Sequence, residues 1–333
     1  MYQVSGGDGS RVTAAGHGHL HVTRLPPSKL TIQDITFSYP LKLIAPTCPP
    51  ELNCQLVFLL SYGGGLVAGD GIDLTVKVDK EARLAIATQG STKIYEARKP
   101  DQWTYQRMHC TLAGKTGLAL LPDPIQPFRD SRFRQQQIFK YAHDADLAVL
   151  DWVSEGRSAN GEHWDFHQFT SLNEFWLEAE DPSTKPRLML RDHLILGDSQ
   201  NAGLDAAQSV RHQMQGAGIF ATMFVRGPGM VKLKAFFVEE FRLLPRIGQR
   251  RWVPPPPEIA PVKSSDELWR EARHAYEQEH SILWTAALHR GFAVVKLSAR
   301  APEGARRWIH DMLIHDGSIE NVFGPQSICC LKY

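Results

Sequence analysis

GGGLVAGDGIDLTVKVDKEARLAIATQGSTKIYEAR, residues 63–98, opens with a glycine run and closes with a lysine beside hydroxyl residues. A phosphate-binding loop requires GxxxxGK[ST], in which backbone N–H groups surround the anion and the lysine reaches its outer oxygens. Counting from Gly64, the second glycine is Gly69, but the lysine position holds Asp70, whose carboxylate repels phosphate. In TQGSTKIY, Ser91 and Thr92 precede Lys93, the reverse of the required order. The stretch therefore reads as strand and turn. Gly63, Gly64, Gly65 and Gly69 supply positive φ, Asp70 bonds its own turn backbone, and IDLTVKV alternates apolar and polar residues before a short polar turn leads into RLAIAT. That spacing suggests a hairpin.

Working outward, the same pattern recurs. LVFLL (56–60), WTYQRMHCTL (103–112), GLALL (117–121), QIFKYA (137–142), DLAVLDWV (146–153), HWDFHQF (163–169) and EFWLEAE (174–180) all read as strands. RLMLRDHLIL (187–196), GIFATMFV (218–225), VKLKAFFV (231–238) and GFAVVKL (291–297) continue the series. With almost no helix between strands, the pattern excludes a doubly wound α/β fold and predicts a mainly β core. Two helices are predicted at the carboxyl end. SSDELWREARHAYEQEH (264–280) is capped by Ser264 or Ser265, with Leu268, Ala272, Ala275 and Tyr276 as its buried stripe. PEGARRWIHDMLIH (302–315) carries Ala305, Trp308, Ile309, Met312 and Leu313 on one face. Residues 1–15 are small and polar and read as a disordered tail, ahead of a single domain over 16–333. VPPPPEIAP (253–261) is a stiff, extended excursion from that domain.

Thirty-seven basic against thirty-six acidic residues leave a formal charge of +1, which gives no footprint for nucleic acid or an anionic membrane. The five cysteines are odd in number and lack zinc spacing, no apolar segment is long enough to span a bilayer, and the amino terminus has no apolar signal core. A reduced, cytoplasmic protein is expected. His17, His19 and His21 alternate, so a strand would place all three on one face as possible nickel, copper or zinc ligands, or as a solvated edge. Vicinal Cys329 and Cys330 read as an exposed tail. Asp123 sits between prolines in LPDPIQPF (121–128), and LDWVSEGRSANGE (150–162) presents Asp151, Glu155, Arg157 and Glu162. Paired acids on a β scaffold suit a glycosidase acid and base, or else salt bridges and turn bonds. The corresponding alternative is a β-solenoid carbohydrate-active hydrolase or lyase. GxSxG, HExxH and CxxC signatures are absent.

GGGLVAGDGIDLTV, TQGSTKIYEAR, LPDPIQPFRDSRFRQ and LDWVSEGRSANGE, in that order and at those spacings, resemble the urease accessory protein UreD (UreH) family. The resemblance runs from about Gly16 to the carboxyl end and weakens over 249–281, where a proline-rich insertion falls. It implies a β-helix-like stack of strands with two carboxyl-terminal helices and a role other than catalysis. With UreF and the GTPase UreG, such a protein forms a complex on apo-urease that delivers nickel and allows lysine carbamylation. An interior passage for the metal is part of that picture. The nucleotide then belongs to UreG, no nucleotide binds this chain, and nickel binds it only transiently and weakly. Carried over by position, the motif residues are Asp70, Thr88, Gln89, Lys93, Tyr95, Asp123, Asp151, Arg157 and Glu162, lining a nickel path or a partner surface.

Overall fold

The computed structural model describes residues 14–26, 29–47, 49, 52–99, 101–179, 181, 183–197, 209–244 and 263–332. Nearly all of the expected tail, and the insertion as far as residue 262, lie outside these. In chain order come β1 (His17–Leu25), β2 (Lys29–Phe37), β3 (Leu41–Ile44), β4 (Gln55–Ser61), β5 (Gly65–Leu66), β6 (Gly71–Val78), β7 (Arg83–Ala87) and β8 (Thr92–Ile94). The middle holds β9 (Thr104–Leu112), β10 (Gly117–Leu120), β11 (Ile125–Pro127), β12 (Arg132–Tyr141), β13 (Asp146–Ser154), β14 (Gln168–Leu177) and β15 (Arg187–Gly197). A short helix α1 (Val210–Gln213) precedes β16 (Ile219–Arg226), α2 (Val231–Arg242) and α3 (Ser265–Glu279). β17 (Leu283–His289), β18 (Phe292–Ala299), α4 (Pro302–Asp316), α5 (Ser318–Phe323) and a 3-10 segment over Pro325–Leu331 complete the chain.

The protein is mainly β with helices toward its carboxyl end, as its patterning predicts. Seven strands form one sheet in the order β15, β14, β12, β9, β6, β1, β2. Eleven form the second, along β17, β18, β16, β13, β10, β7, β4, β3, with the small ladder β5, β8, β11 attached at β13. The turn expected to close a hairpin between β6 and β7 does something else. β6, β9, β12 and β14 pair parallel within the first sheet and β4, β7, β10 and β13 pair parallel within the second, so that from β6 to β14 the chain passes back and forth between sheets. Antiparallel pairing of consecutive strands does occur, in β1–β2, β3–β4, β14–β15 and β17–β18. Residues 79–82, between β6 and β7, span roughly 13 Å when extended, enough to cross the ~10 Å between facing sheets. Turn length could not distinguish the two connections.

Alternation places every second side chain between the sheets, and parallel pairing in register aligns like residues into rungs. Phe133 faces Phe169 and Phe139 faces Phe175, with ring centroids 5.7 and 4.8 Å apart. A second core covers the outer face of the larger sheet, where Phe237 of α2, Trp308, Met312 and Leu313 of α4, and Ile319 and Phe323 of α5 are buried.

Several expectations are corrected. Residues 231–238 form the helix α2, because Leu233, Phe237 and Val238 share one helical face and all are buried, a spacing that overrides the local apolar alternation. At 163–169 the strand begins only at Gln168. Of the two serines expected as cap of α3, Ser264 takes the part, in a capping box with Glu267. The buried face of α3 is only in part the expected one: Tyr276 is half-buried against the core, but Leu268, Ala272 and Ala275 are exposed, while Arg273 and Glu277 are buried. Glu277 accepts both the Trp284 and Trp308 indole N–H groups at 2.9 Å, and Glu240 of α2 accepts from Arg270 and Arg273. Ion pairing, together with the rings of Trp269 and Tyr276 against the core, sets the rotation of this helix. Of the four glycines expected at positive φ, Gly63, Gly64 and Gly69 adopt it, whereas Gly65 is extended. Gly65 is needed for space, since a Cβ there would lie 2.6 Å from the Lys93 carbonyl oxygen.

Candidate functional site

The inward positions of the first sheet are apolar over most of its strands but polar along one line. Gln106, Gln135 and Ser171 are register partners on β9, β12 and β14; Gln137 and Asn173 pair one inward position further along. All five are buried. Facing them from β13 is Asp151, whose carboxylate accepts hydrogen bonds from Gln135 Nε2 (2.9 Å), Ser171 Oγ (2.6 Å) and Asn173 Nδ2 (2.6 Å). Burial raises the Asp151 pKa, and the bonds from Ser171 and Asn173 oppose that rise. Beside it lies a narrow cavity of about 30 Å³, where Thr88, Gln106, Asp123, Gln135, Gln137 and Asp151 meet apolar walls that include Leu59, Ile86, Met108 and Leu150. That is enough for a water or two. The amide oxygens of Gln106, Gln137 and Asn173 are buried, and among the described residues none has a hydrogen-bond donor. The seam is thus rich in oxygen acceptors, a donor set that suits water or a hard cation.

The line of polar residues continues to the rim of the sandwich. Asp151 is paired across the second sheet with Thr222, and Thr222 with Lys296 on β18. On the first sheet Asn173 is paired with Asp192 of β15. There the Lys296 ammonium reaches Asp192 at 2.7 Å.

At the other end of the seam, Thr88 and Asp123 are joined. Thr88 Oγ1 and Gly90 N donate to Asp123 Oδ2 at 2.8 and 2.7 Å, and Arg306 of α4 holds Asp123 Oδ1 at 2.6 Å. Cys330 bonds both the N–H and the carbonyl of Thr88 through its sulfur. The expected exposed tail is therefore a buried latch: Cys330 is 8% exposed and Leu331 is fully buried.

A separate group assembles on the β5, β8, β11 ladder. Tyr95 meets Phe128 edge-on at 5.3 Å, and the Arg157 guanidinium covers Phe128 at 4.2 Å while pairing with buried Glu162. That pair lowers the Glu162 pKa. Here the salt-bridge reading of these charges holds. Lys93 and Gln89 are exposed nearby in sequence. Asp70 is a turn aspartate, accepting from Val67 N at 3.0 Å, and it is not among the residues lining the cavity. Of the acids weighed for glycoside chemistry, Asp151, Glu155 and Glu162 each accept hydrogen bonds from neighbouring side chains. His17, His19 and His21 do share one face of β1, but His19 bonds Asp34 and His21 bonds Asp79. Among the described residues no three His, Cys, Asp or Glu side chains gather as a metal site.

Sequence reading found Thr88, Asp123 and Asp151 but missed Gln106, Gln135, Gln137, Ser171, Asn173, Asp192 and Lys296. A signal was present: in FRQQQIFKY, Gln135 and Gln137 occupy the same alternate positions as Phe133, Phe139 and Tyr141, which marks them as inward and polar.

A model of the UreD urease accessory protein family matches residues 14–319. The chain is 30% identical over 280 residues to an uncharacterised urease accessory protein ureD-like of Schizosaccharomyces pombe, covering 84% of this chain and 87% of that one. It is 33% identical over 249 residues to urease accessory protein 4 of Cryptococcus neoformans, covering 67% and 73%. Urease accessory protein D of Arabidopsis thaliana is 30% identical over 198 residues, covering 59% and 63%.

Proposed function

Because the chain belongs to the UreD urease accessory protein family, and so serves urease maturation as an accessory protein and not as a catalyst, we propose that it escorts nickel through its interior to apo-urease. It does so in the cytoplasm as one domain, a β-helix-like stack, in a complex with UreF and the GTPase UreG. The observation that carries this reading is the acceptor seam around Asp151. A nonpolar interior would serve a pure scaffold better, because each buried amide oxygen without a donor costs about 1–3 kcal/mol. A cation with its water shell supplies what those oxygens need.

The chemistry of the seam also limits affinity. Carboxylate and amide oxygens hold nickel less firmly than imidazole or thiolate, so binding is micromolar or weaker, about −8 kcal/mol or less favourable. Weak binding lets the cargo move on to the better ligands of urease. Asp70 and the exposed Lys93 and Gln89 are assigned to partner contact, since they lie outside the cavity lining. Among the described residues no helix is long and apolar enough to cross a membrane.

Complementation tests the proposal. Deleting the gene in a urease-positive host abolishes urease activity while urease protein remains. Restoring it as Asp151→Asn keeps shape and much of the hydrogen bonding but removes the charge, so UreF binding survives and urease activation falls about tenfold or more. Full activation by Asp151→Asn would refute the interior route. An Asp151→Asn chain that no longer assembles would return Asp151 to a structural role.

A further inference from the structure

The ion pair between Lys296 and Asp192 closes the outer end of the polar seam. It sits where β15 and β18 border an open groove lined by Leu190, Arg191, Asp192, Phe224, His289 and Val294. The Lys296 side chain is 37% exposed and that of Asp192 19%. A half-exposed Lys–Asp pair adds little to stability, so packing alone does not explain why charges stand at this point. Inward from it, Asp192 is the register partner of Asn173, which donates to Asp151, and the Asp192 charge acts on Asp151. Asn173 is fully buried and Gln137 is 4% exposed; both have an amide oxygen without a donor, and Gln137 lines the cavity.

We infer that Lys296 is a tethered stopper: its ammonium occupies a divalent-cation site of Asp192 and Asp151, completed by the amide oxygens of Asn173 and Gln137. This inference rests on reading the seam as a cation route. Lysine suits the part because its ammonium is a compact charge on a flexible stem, able to swing into the groove without moving the backbone. While in place it neutralises Asp192 and repels cations from solvent. A divalent ion arriving along the seam carries twice its charge and competes for the same carboxylate. Exchange of one cation for the other keeps the site near neutral throughout, which a bare carboxylate pair would not.

The test is a titration of the full chain with Mn²⁺ followed by electron paramagnetic resonance, with Ni²⁺ as competitor. Mn²⁺ prefers oxygen ligands and so discriminates against the histidines of β1. Lys296→Gln should bind one Mn²⁺ at least about tenfold more tightly than the parent chain, and Ni²⁺ should displace it. Lys296→Arg, which keeps a charge, should stay near the parent affinity. Adding Asp192→Asn to Lys296→Gln should abolish the gain. Parent-like affinity in Lys296→Gln, or a gain that survives Asp192→Asn, overturns the inference. Failure of the wider reading shows elsewhere: if Asp151→Asn still activates urease fully, the route itself is wrong, whereas loss of activation with unchanged Mn²⁺ affinity in Lys296→Gln discards only the stopper.

Discussion

Glu162 shows how a charge legible in sequence acquires its meaning from one contact. Its carboxylate is buried, accepts from the Arg157 guanidinium and from the N–H groups of Arg157 and Arg129, and has its pKa lowered, with the Arg157 side-chain bond as the largest cause. A lowered folded-state pKa means that the contribution to stability is present above the unfolded-state value and is lost as pH falls through the folded one. Glu162→Gln should therefore lower the melting temperature at pH 7, while the two proteins converge at a pH below the ordinary glutamate range. Melting curves across pH check this; a constant offset at all pH values would mean that shape, not charge, is what Gln fails to supply. Asp151 differs in sign. Burial raises its pKa, so its ionisation opposes folding as pH rises through the folded value.

At the scale of elements, Asp123 ties three pieces of chain together: the turn after β7, the proline loop after β10, and α4 with the carboxyl-terminal latch. Removing one partner of a buried pair leaves the other uncompensated, which costs about 3–5 kcal/mol. Asp123→Ala takes the carboxylate from Arg306, the Thr88 hydroxyl and the Gly90 N–H together, leaving Arg306 the Cys330 carbonyl and Thr88 the N–H of residue 123. We expect a loss of that size by urea denaturation, with limited proteolysis cutting first near the latch at 325–332. Cleavage beginning elsewhere would show that the latch is held by its apolar contacts, such as Leu331 and Ile328. α3 makes the same point in reverse. Its helical period, its cap and its length are plain in the sequence, but the face it buries is chosen by Glu240 of α2 and the indoles of β17 and α4, none of which is adjacent to it in the chain.

Across the whole molecule, both sheets end, among the described residues, in strands that pair on one side only: β2 and β15 on the first, β3 and β17 on the second. On β17, Leu283 is 74% and Leu288 59% exposed, and Ile195 on β15 is 58% exposed. Exposed apolar edge strands invite association with other chains, which suits a member of an assembly and predisposes the isolated protein to aggregate. Residues 236–244 contribute less to such a surface, since Phe237 and Val238 are buried. Expressed alone, the protein should aggregate, and Leu283→Lys with Leu288→Lys should shift light scattering toward a monodisperse monomer. If the double variant aggregates as the parent does, these edges are not the surface responsible.

Period-two alternation, a turn every few residues, the serine cap of α3, the first-turn proline of α4 and the order of four motifs are local properties, and they determined the mainly β class, the two long carboxyl-terminal helices α3 and α4 and the family. Which sheet each strand joins was not local. A four-residue turn permits either a hairpin or a crossing, and the choice depends on where β7 finds β4 and β10 as parallel neighbours. The seam follows from that choice. Gln106, Gln135 and Ser171 are 29 and 36 residues apart in sequence, and only parallel register stacks them into one line facing Asp151. A buried carboxylate becomes a candidate ligand through its neighbours in space, and those are supplied by tertiary pairing, because hydrogen-bond register, unlike hydrophobic period, joins residues that no sequence window contains.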